Sequence, residues 1–258
     1  MNKQDLSKMG AARVSKTIVN GVPCIHKQGA TDVEINFYKV AASNLHGINT
    51  PRLIQINNQE LFIEYIPNRI TLAQLQESSS VFQQLAYLHL SQYAPPFVVK
   101  PHRWNESATE IALNALSLSE ASRCAIKYIQ SQSSELFEYS GLISGDTNDG
   151  NWATRNNGEL VLFDWERFGI GSPAIDLAPL VKGLGEKADY ERVIEQYRRF
   201  NPSLPKHDLK RHLVIAKCWI VVEVVNILLS RDHPETSMYI HWYRHNMPEW
   251  LEAMKKIL

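Results

Sequence analysis

The chain has 258 residues, 44% of them hydrophobic, and its 27 lysines and arginines balance 27 aspartates and glutamates. This length allows one or two domains with a substantial core, and the zero net charge predicts no binding to nucleic acid or to a membrane surface. Three distant cysteines, Cys24, Cys124 and Cys218, form neither a metal-binding spacing nor a disulfide framework. Because residues 1–16 also lack an apolar signal core, we expect a cytoplasmic protein with reduced thiols.

The first segment, residues 1–66, has the pattern of a small β-rich lobe. Residues 12–19 alternate moderately between apolar and polar side chains, and residues 22–27 provide a return strand after Asn20-Gly21. The Asn-Gly pair favours a two-residue hairpin because both residues tolerate positive φ angles. We therefore predict an antiparallel hairpin near the start of the chain.

A short helix and a second hairpin complete the predicted lobe. Thr31 or Asp32 is the expected cap of this helix. Three apolar residues at helical spacing would form its buried face: Val33, Phe37 and Val40. Residues 52–56 and 60–66 then predict two more strands, joined by a turn of two asparagines.

The rest of the chain is predicted to be mostly helical. Within the helical pattern of residues 81–90, His89 is better explained as a packing residue than as a base. The longest apolar run, residues 213–229, contains a lysine, a glutamate and an asparagine, so we predict a buried or amphipathic helix rather than a membrane span. Residues 238–258 are expected to form an aromatic-rich helix that is broken at Pro248.

Two polar clusters are separated by a single predicted strand. The first cluster, GDTNDGN, spans residues 145–151, and the second, FDWE, spans residues 163–166. If the strand folds back as a hairpin, Asp146 and Asn151 lie on one loop and Asp164 lies beside them. Two carboxylates and a carboxamide brought together in this way suit Mg²⁺, which prefers hard oxygen ligands and shares its shell with phosphate oxygens and water.

In this order and at this close spacing, the clusters resemble the catalytic core of the aminoglycoside phosphotransferase and choline kinase family, distant relatives of protein kinases. The family carries a catalytic Asp, an Asn five positions later and an Asp-Trp-Glu or Asp-Phe-Gly-like triplet, matched here by Asp146, Asn151 and the triplet at 164–166. Its trailing Gly-x-Gly-x-Pro-x-x-Asp-Leu-Ala segment is matched by residues 169–178. A polar hairpin with turn-forming Asp and Asn is the alternative explanation.

The resemblance implies an α+β, bilobal protein-kinase-like fold. Residues 1–66 would form a nucleotide-binding lobe, and residues 67–258 a larger, mostly helical catalytic and substrate-binding lobe. The implied activity is transfer of phosphate from ATP or GTP, with Mg²⁺, to an alcohol group of a small-molecule acceptor. The alternative is a nucleotide-binding pseudokinase or scaffold on the same fold, because Ser144 replaces the family's usual histidine and the candidate phosphate-covering loop, residues 7–12, has a single glycine.

The resemblance also implies roles for individual residues. Asp146 would accept the hydroxyl proton or orient the nucleophile, while Asn151 and Asp164 would hold Mg²⁺ on the phosphates. In the family the backbone of the hinge reads the adenine edge, and the hinge corresponds here to Glu64 through Ile66. Side-chain identity matters little at such a hinge, so ATP and GTP both stay open.

Lys27 is the candidate for the strand lysine that contacts the α- and β-phosphates, and Glu34 is its expected partner on the neighbouring helix. An ammonium neutralises phosphate charge, and a carboxylate beside it fixes its position. Taken alone, these residues would be better explained as an exposed strand lysine and a solvated helix glutamate, because surface lysine and glutamate are common. Lys16 is the alternative lysine for the phosphate site.

Four residues are candidates for binding the acceptor: Asp149, Glu166, Glu223 and Trp219. In the family the acceptor lies between the catalytic loop and the C-terminal helices, from which these residues come. Carboxylates and aromatic faces together suit a cationic amine, so we expect an amine-bearing alcohol such as an aminoglycoside or a choline-like compound. A neutral sugar is the alternative acceptor, and core aromatics with surface acids are the alternative explanation of these residues.

Overall fold

The computed structural model describes residues 13–231 and 233–258, so the candidate phosphate-covering loop at residues 7–12 lies outside the described residues. The chain forms two compact units. The first contains the chain up to Pro101 together with Leu142–Ile170, and the second contains His102–Gly141 together with Gly171–Leu258. The lobe boundary predicted at residue 66 is a different division of the chain, and it stays a prediction.

The first unit contains an antiparallel sheet with the strand order β1-β2-β4-β3. Its strands are β1 (Arg13–Val19), β2 (Val22–Gln28), β3 (Leu53–Asn57) and β4 (Glu60–Glu64). Asn20 and Gly21 have φ angles of 50° and 80°, as a tight two-residue turn requires. Both predicted hairpins are therefore present. Strand β4 ends at Glu64 rather than at Ile66, because its next partner on β2 after Cys24 would be Pro23, which has no N–H to donate.

The helix between the two hairpins is α1 (Asp32–Asn36), which continues into a π-helical turn at Phe37–Ala41. Thr31 is its cap, and the Thr31 hydroxyl accepts a hydrogen bond from the backbone N–H of Glu34 at 3.2 Å. The predicted buried face is only partly right, since Phe37 is buried but Val33 and Val40 are half-buried. Four other residues are buried instead: Glu34, Ile35, Tyr38 and Ala41. Apolar periodicity missed this face because it contains a carboxylate and because the π-helical turn shifts the later residues.

The remaining elements of the first unit surround the two polar clusters at residues 145–151 and 163–166. They are β5 (Asn68–Arg69), α2 (Leu72–Glu77), α3 (Ser79–Leu90), β6 (Leu142–Ile143), β7 (Trp152–Thr154), β8 (Leu160–Leu162) and β9 (Gly169–Ile170). Strand β7 pairs with β5 and β8, and β6 pairs with β9. The predicted hairpin is present as β7 and β8, with Trp152 opposite Leu162. Strand β8 is shorter than predicted because Asp164 has a left-handed φ of 66°, which a strand cannot accommodate.

The second unit is helical in its described residues. Its helices are α4 (Glu106–Leu116), α5 (Glu120–Ser131), α6 (Ser134–Phe137), α7 (Ala174–Leu177), α8 (Lys187–Arg198), α9 (Lys206–Ser230) and α10 (Thr236–Met254). Helix α9 is the core element, in contact with α4, α7, α8 and α10. By length and hydropathy alone α9 could cross a membrane, but most of its apolar stretch is buried inside the unit. This confirms the predicted buried helix.

Helix α10 runs through Pro248 without a break, so the predicted break at this proline is wrong. Proline inside a helix costs about 3 kcal/mol because it removes a hydrogen bond and crowds the preceding turn. Met247, Trp250 and Leu251 are buried on either side of it. Burial of these large side chains contributes roughly 1.5–3 kcal/mol each, which is enough to offset the cost of the proline.

Candidate active site

Lys27 on β2 connects two acidic residues of the first unit. Its ammonium Nζ lies 2.7 Å from Oε2 and 2.8 Å from Oε1 of Glu34. The same nitrogen lies 2.6 Å from Oδ1 of Asp164. The ion pair predicted between Lys27 and Glu34 is therefore present. The alternative lysine, Lys16, instead holds its Nζ 3.7 Å from the ring centroid of Tyr65.

The three charges of this cluster are nearly enclosed, since the side chains of Lys27, Glu34 and Asp164 are 6%, 0% and 29% exposed. Burial acts against the charged ammonium, but the carboxylates of Glu34 and Asp164 outweigh it and raise the pKa of Lys27. Lys27 is therefore a permanent cation at neutral pH. Burial also raises the pKa of Glu34, and the positive charge of Lys27 opposes this shift.

The loop after β6 carries the predicted base, Asp146. The side-chain amide of Asn151 donates to the Asp146 backbone carbonyl at 3.0 Å. The guanidinium Nε of Arg167 donates to the carbonyl of Gly145 at 3.0 Å, and the indole N–H of Trp152 donates to the carbonyl of Thr147 at 3.1 Å. Three consecutive carbonyls of the loop are thus held by side chains, which fixes the backbone under the Asp146 carboxylate.

The Asp146 carboxylate is partly buried, and burial raises its pKa. Hydrogen bonds from Asn148 and the positive charge of Arg167 act in the opposite direction, whereas the negative charge of Asp164 adds to the increase. A carboxylate with a raised pKa is a stronger proton acceptor in its ionised form. The environment of Asp146 is therefore suited to a general base.

Asn151 and Asp164 lie at the same end of the β7–β8 hairpin. Asn151 directly precedes β7, and the backbone N–H of Phe163 donates to the Asn151 carbonyl at 3.0 Å. The amide nitrogen of Asn151 is used by the Asp146 backbone, so its side-chain oxygen is the atom left for a cation. The sequence prediction that the hairpin brings the two polar clusters together agrees with this geometry.

A third carboxylate belongs to the same group. Side-chain oxygens of Glu34, Asp164 and Glu166 lie within 4.8 Å of one another. Burial and then the negative charge of Asp164 raise the pKa of Glu166. Carboxylate and amide oxygens are the donors that Mg²⁺ prefers, so Asn151, Asp164 and Glu166 fit a magnesium ion. Glu34 is less suited to this role because both of its oxygens contact Lys27.

The unusual backbone of Asp164 is held by its neighbour, Trp165. Asp164 is one of the non-glycine residues with positive φ, a conformation that costs of order 1 kcal/mol or more. The fully buried indole of Trp165 stacks on Phe37, with ring centroids 4.0 Å apart, and its N–H donates to the Leu162 carbonyl at 3.0 Å. The anchored tryptophan therefore keeps the Asp164 carboxylate directed at Lys27.

The predicted hinge residues Glu64 and Ile66 have well-defined side-chain partners. Arg155 donates from Nε to Oε1 of Glu64 at 2.9 Å and from a terminal nitrogen to Oε2 at 2.7 Å. Ile66 packs against Ala153 and Val161. The two contacts connect the end of β4 and the segment after it to the β7–β8 hairpin. Burial acts to raise the pKa of Glu64, but hydrogen bonds and charge from Arg155 outweigh it and lower this pKa.

The predicted acceptor-binding residues occupy different environments. Asp149 is exposed on the 3₁₀ turn before Asn151, and Glu166 is half-buried beside Asp164. Trp219 on α9 is 2% exposed and packs edge-on against Phe137 in the second unit. That environment is the core packing considered as an alternative, and the roles of Trp219 and Glu223 in binding stay predictions.

Three residues with clear positions in this site were absent from the sequence-based candidates: Asn148, Arg155 and Arg167. The sequence Asn148-Asp149-Gly150 is also typical of a plain turn, and its Asn-x-Gly pattern is the signal that indicates a cap. The two arginines carry no local signal for their roles in the site, because Arg155 contacts Glu64 and Arg167 contacts Gly145, which are distant in the sequence.

The arrangement is that of protein-kinase-like phosphotransferases. It consists of an antiparallel sheet followed by a mostly helical region, with a lysine–glutamate pair and an Asp-x4-Asn loop. The profile of the phosphotransferase enzyme family (APH) matches residues 32–208. The chain belongs to this family.

Solved structures of similar fold are phosphotransferases. The choline kinase LicA from Streptococcus pneumoniae is 14% identical with a TM-score of 0.66, covering 98% of this chain and 94% of LicA. The macrolide 2'-phosphotransferase MphH from Brachybacterium faecium is 13% identical with a TM-score of 0.64, covering 93% and 90%. A ternary complex of aminoglycoside phosphotransferase APH(4)-Ia with ADP and hygromycin B is 14% identical with a TM-score of 0.65, covering 98% and 94%. These similarities confirm the predicted protein-kinase-like fold.

Proposed function

We propose that this protein is a small-molecule kinase that transfers the γ-phosphate of ATP or GTP to a hydroxyl group of a small, amine-bearing acceptor. The observation that carries the proposal is the contact of Lys27 with both Glu34 and Asp164, next to the loop of Asp146 and Asn151. This combination supplies a cation for the phosphates, oxygens for a metal and a carboxylate base. Magnesium as cofactor and a cytoplasmic location belong to the same proposal.

In the proposed reaction, the acceptor oxygen attacks the γ-phosphorus while the bond from that phosphorus to the bridging oxygen breaks. Asp146 takes the hydroxyl proton, and the nucleoside diphosphate leaves with the bonding electron pair. Lys27 contacts the α- and β-phosphates, and Glu34 holds it in place. Asn151 and Asp164, together with Glu166, would hold Mg²⁺, which neutralises charge on the phosphate oxygens when bound.

Positioning and electrostatics supply most of the rate in such a transfer, so the protein needs few reactive groups. The fixed backbone under Asp146 and the buried cation at Lys27 are consistent with that requirement. The ternary complex of APH(4)-Ia contains ADP and hygromycin B, which supports a nucleotide and a small acceptor as the two ligands here.

The proposed acceptor is cationic because the described carboxylates around Asp146 outnumber the cations. Asp149, Asp164 and Glu166 contribute negative charge in addition to Asp146 itself, and Lys27 and Arg167 contribute positive charge. A protonated amine gains charge pairing with these groups, and an aromatic face would add about 0.5–2 kcal/mol by cation–π contact. The named activities of LicA and of APH(4)-Ia, a choline kinase and an aminoglycoside phosphotransferase, support the same class of acceptor.

The test is a panel of acceptors with Mg²⁺ and ATP or GTP, run on the wild-type protein and on Asp146→Ala. The panel contains amino alcohols, aminoglycosides, thiamine-like cations and neutral sugars. We expect diphosphate formation that depends on a cationic acceptor and disappears in Asp146→Ala, and we expect Asp149→Asn to raise the KM of that acceptor. Turnover of a neutral sugar with no turnover of any amine would contradict the acceptor class.

A second candidate function is a nucleotide-binding pseudokinase, favoured by Ser144 at the position of the family's histidine. Ser144 is fully buried in the structure. It therefore occupies the buried position of the family's histidine, but its side chain fills less space. The same panel separates the two functions. A pseudokinase binds the nucleotide and shows equal background turnover in the wild type and in Asp146→Ala.

A further inference from the structure

The side chain of Asn148 is fixed at both of its polar atoms. Its Nδ2 donates to Oδ1 of Asp146 at 2.6 Å, and its Oδ1 accepts from the backbone N–H of Gly150 at 2.8 Å. The first contact is among the short hydrogen bonds expected when the acceptor is charged. The second contact makes Asn148 the cap of the 3₁₀ turn at Asp149–Asn151.

The chemistry of these two contacts selects asparagine. The turn needs a side-chain acceptor, which Asp, Ser and Thr could also supply. The carboxylate of Asp146 needs a second group on the same side chain that donates a hydrogen bond in the opposite direction. An Asp side chain has no such donor, and the hydroxyl of the shorter Ser does not reach the Asp146 carboxylate. Among capping residues, only an amide of this length performs both tasks at once.

Gly150 gives independent support for the same arrangement. A Cβ atom built at this position would lie 2.8 Å from Oδ1 of Asn148. Any side chain at position 150 would therefore displace the amide and weaken its hydrogen bond to Asp146. The absence of a side chain at Gly150 keeps the space that the capping amide occupies.

We infer that Asn148 is a positioning residue for phosphoryl transfer: its amide holds the Asp146 carboxylate in the orientation that receives the acceptor's proton. This inference rests on the proposed function and deepens it. The carboxylate itself stays in place when this side-chain donor is removed, so catalysis is reduced rather than abolished.

The test compares two variants that keep the cap, Asn148→Ser and Asn148→Asp, with Asp146→Ala as the inactive reference. With the best acceptor of the panel, we expect both Asn148 variants to lower kcat by about 10-fold to 100-fold, the range that misplacement of a catalytic group produces. The KM of the nucleotide should change by less than about 2-fold, because the substitutions do not alter contacts that bind the nucleotide equally in the ground state and the transition state. Thermal unfolding of both variants confirms that the fold is kept.

A double-mutant cycle with Gly150→Ala separates positioning from a merely structural effect. Gly150→Ala should lower kcat in the wild-type background, where the new methyl group displaces the amide, and should have no further effect in Asn148→Ser. Wild-type kcat in a folded Asn148→Ser, or additive effects of the two substitutions, would overturn the inference. If the wild type itself shows no turnover above Asp146→Ala, the proposed function fails and this inference fails with it.

Discussion

Lys27 is the residue on which the charges of the site converge, since it contacts Glu34 and Asp164 at the same time. In the proposed reaction, phosphate oxygens of the nucleotide would replace the contact to Asp164 while Glu34 keeps the ammonium in place. The buried carboxylate of Glu34 therefore makes the cation available at a fixed position.

For this reason we predict that Lys27→Ala lowers kcat/KM for the nucleotide by about 100-fold or more, the typical effect of removing a preorganised donor from a transferring group. The measurement is steady-state kinetics at varied nucleotide concentration with saturating acceptor. Lys16→Ala is the matched control, because Lys16 is exposed and contacts the ring of Tyr65. Equal losses in the two variants would contradict the assignment of Lys27.

For individual residues, motif spacing predicts those whose role is shared with the family. It misses residues whose role depends on a single side-chain rotamer. The pairing of Lys27 with Glu34 could be predicted because the resemblance implies it. The role of Asn148 could not, because its amide reaches Asp146 only in the conformation set by the turn at Gly150. The Asn-x-Gly pattern indicates the cap, but it does not specify which carboxylate the amide of Asn148 contacts.

The β7–β8 hairpin is the element that organises the site. It places Asn151 before its first strand and Asp164 after its second. Its connecting segment carries Arg155, which contacts Glu64, Glu159 and the Thr50 carbonyl. The hairpin thus positions the predicted metal ligands at one end and the segment after β4 at the other.

We predict that Arg155→Met lowers the free energy of unfolding by about 1–3 kcal/mol, because it removes the bidentate partner of Glu64 and leaves this carboxylate with only its contacts to Arg52. Urea denaturation of the purified protein measures this loss. Arg52→Met is the matched control, since the Arg52 side chain is 76% exposed while that of Arg155 is 20% exposed. We expect less than about 0.5 kcal/mol for Arg52→Met. Similar losses in both variants would show that Arg155 does not anchor the hairpin.

This loss should depend on pH in a defined direction. The pKa of Glu64 is lowered in the folded protein, so its contribution to stability is present above the ordinary carboxylate pKa and is lost as the pH falls through the lowered value. The difference between wild type and Arg155→Met should therefore shrink in acid.

Among the elements, hairpins with clear turn signals were predictable, whereas the face of α1 was not. Asn20-Gly21 fixes the first hairpin through positive φ angles that few other residues adopt. In α1 the buried face includes Glu34, whose burial depends on Lys27 from another strand. Helical periodicity counts only apolar residues, so a buried ion pair is invisible to it.

At the scale of the whole molecule, the second unit is built around α9, and that helix contains a buried lysine. Lys217 is 5% exposed, and its Nζ donates to the carbonyl of Val181 at 2.8 Å. Burial lowers the pKa of Lys217 to about 7. Between this pH and the ordinary lysine value, the unfolded chain binds a proton that the folded chain does not, so stability rises with pH.

We therefore predict that Lys217→Met gains stability relative to the wild type near neutral pH and loses this advantage in base. The advantage should decrease by at most about 1.4 kcal/mol for each pH unit between neutral pH and the ordinary pKa of lysine. Urea denaturation of both proteins at two pH values in that window measures it, and other titrating groups cancel in the difference. A difference that is independent of pH would show that Lys217 is not buried as an amine of lowered pKa.

The fold as a whole could be predicted because the diagnostic residues lie in order over a short stretch, and the family match over residues 32–208 agrees with it. Continuity of α10 through Pro248 could not be predicted, because packing of its buried neighbours overrides the local preference. The acceptor is set by the shape and charge of a whole surface, and a motif does not specify that surface.

The central claim, that Asp146 is the base of a phosphoryl transfer, is tested most directly by measuring nucleotide binding and transfer on the same preparations of wild type and Asp146→Asn. The asparagine keeps the shape of the side chain and removes its basicity. We expect the nucleotide Kd to stay within about 3-fold and acceptor-dependent formation of the nucleoside diphosphate to fall by about 100-fold or more, the range for loss of a general base. Transfer at a rate near wild type in Asp146→Asn would contradict the account.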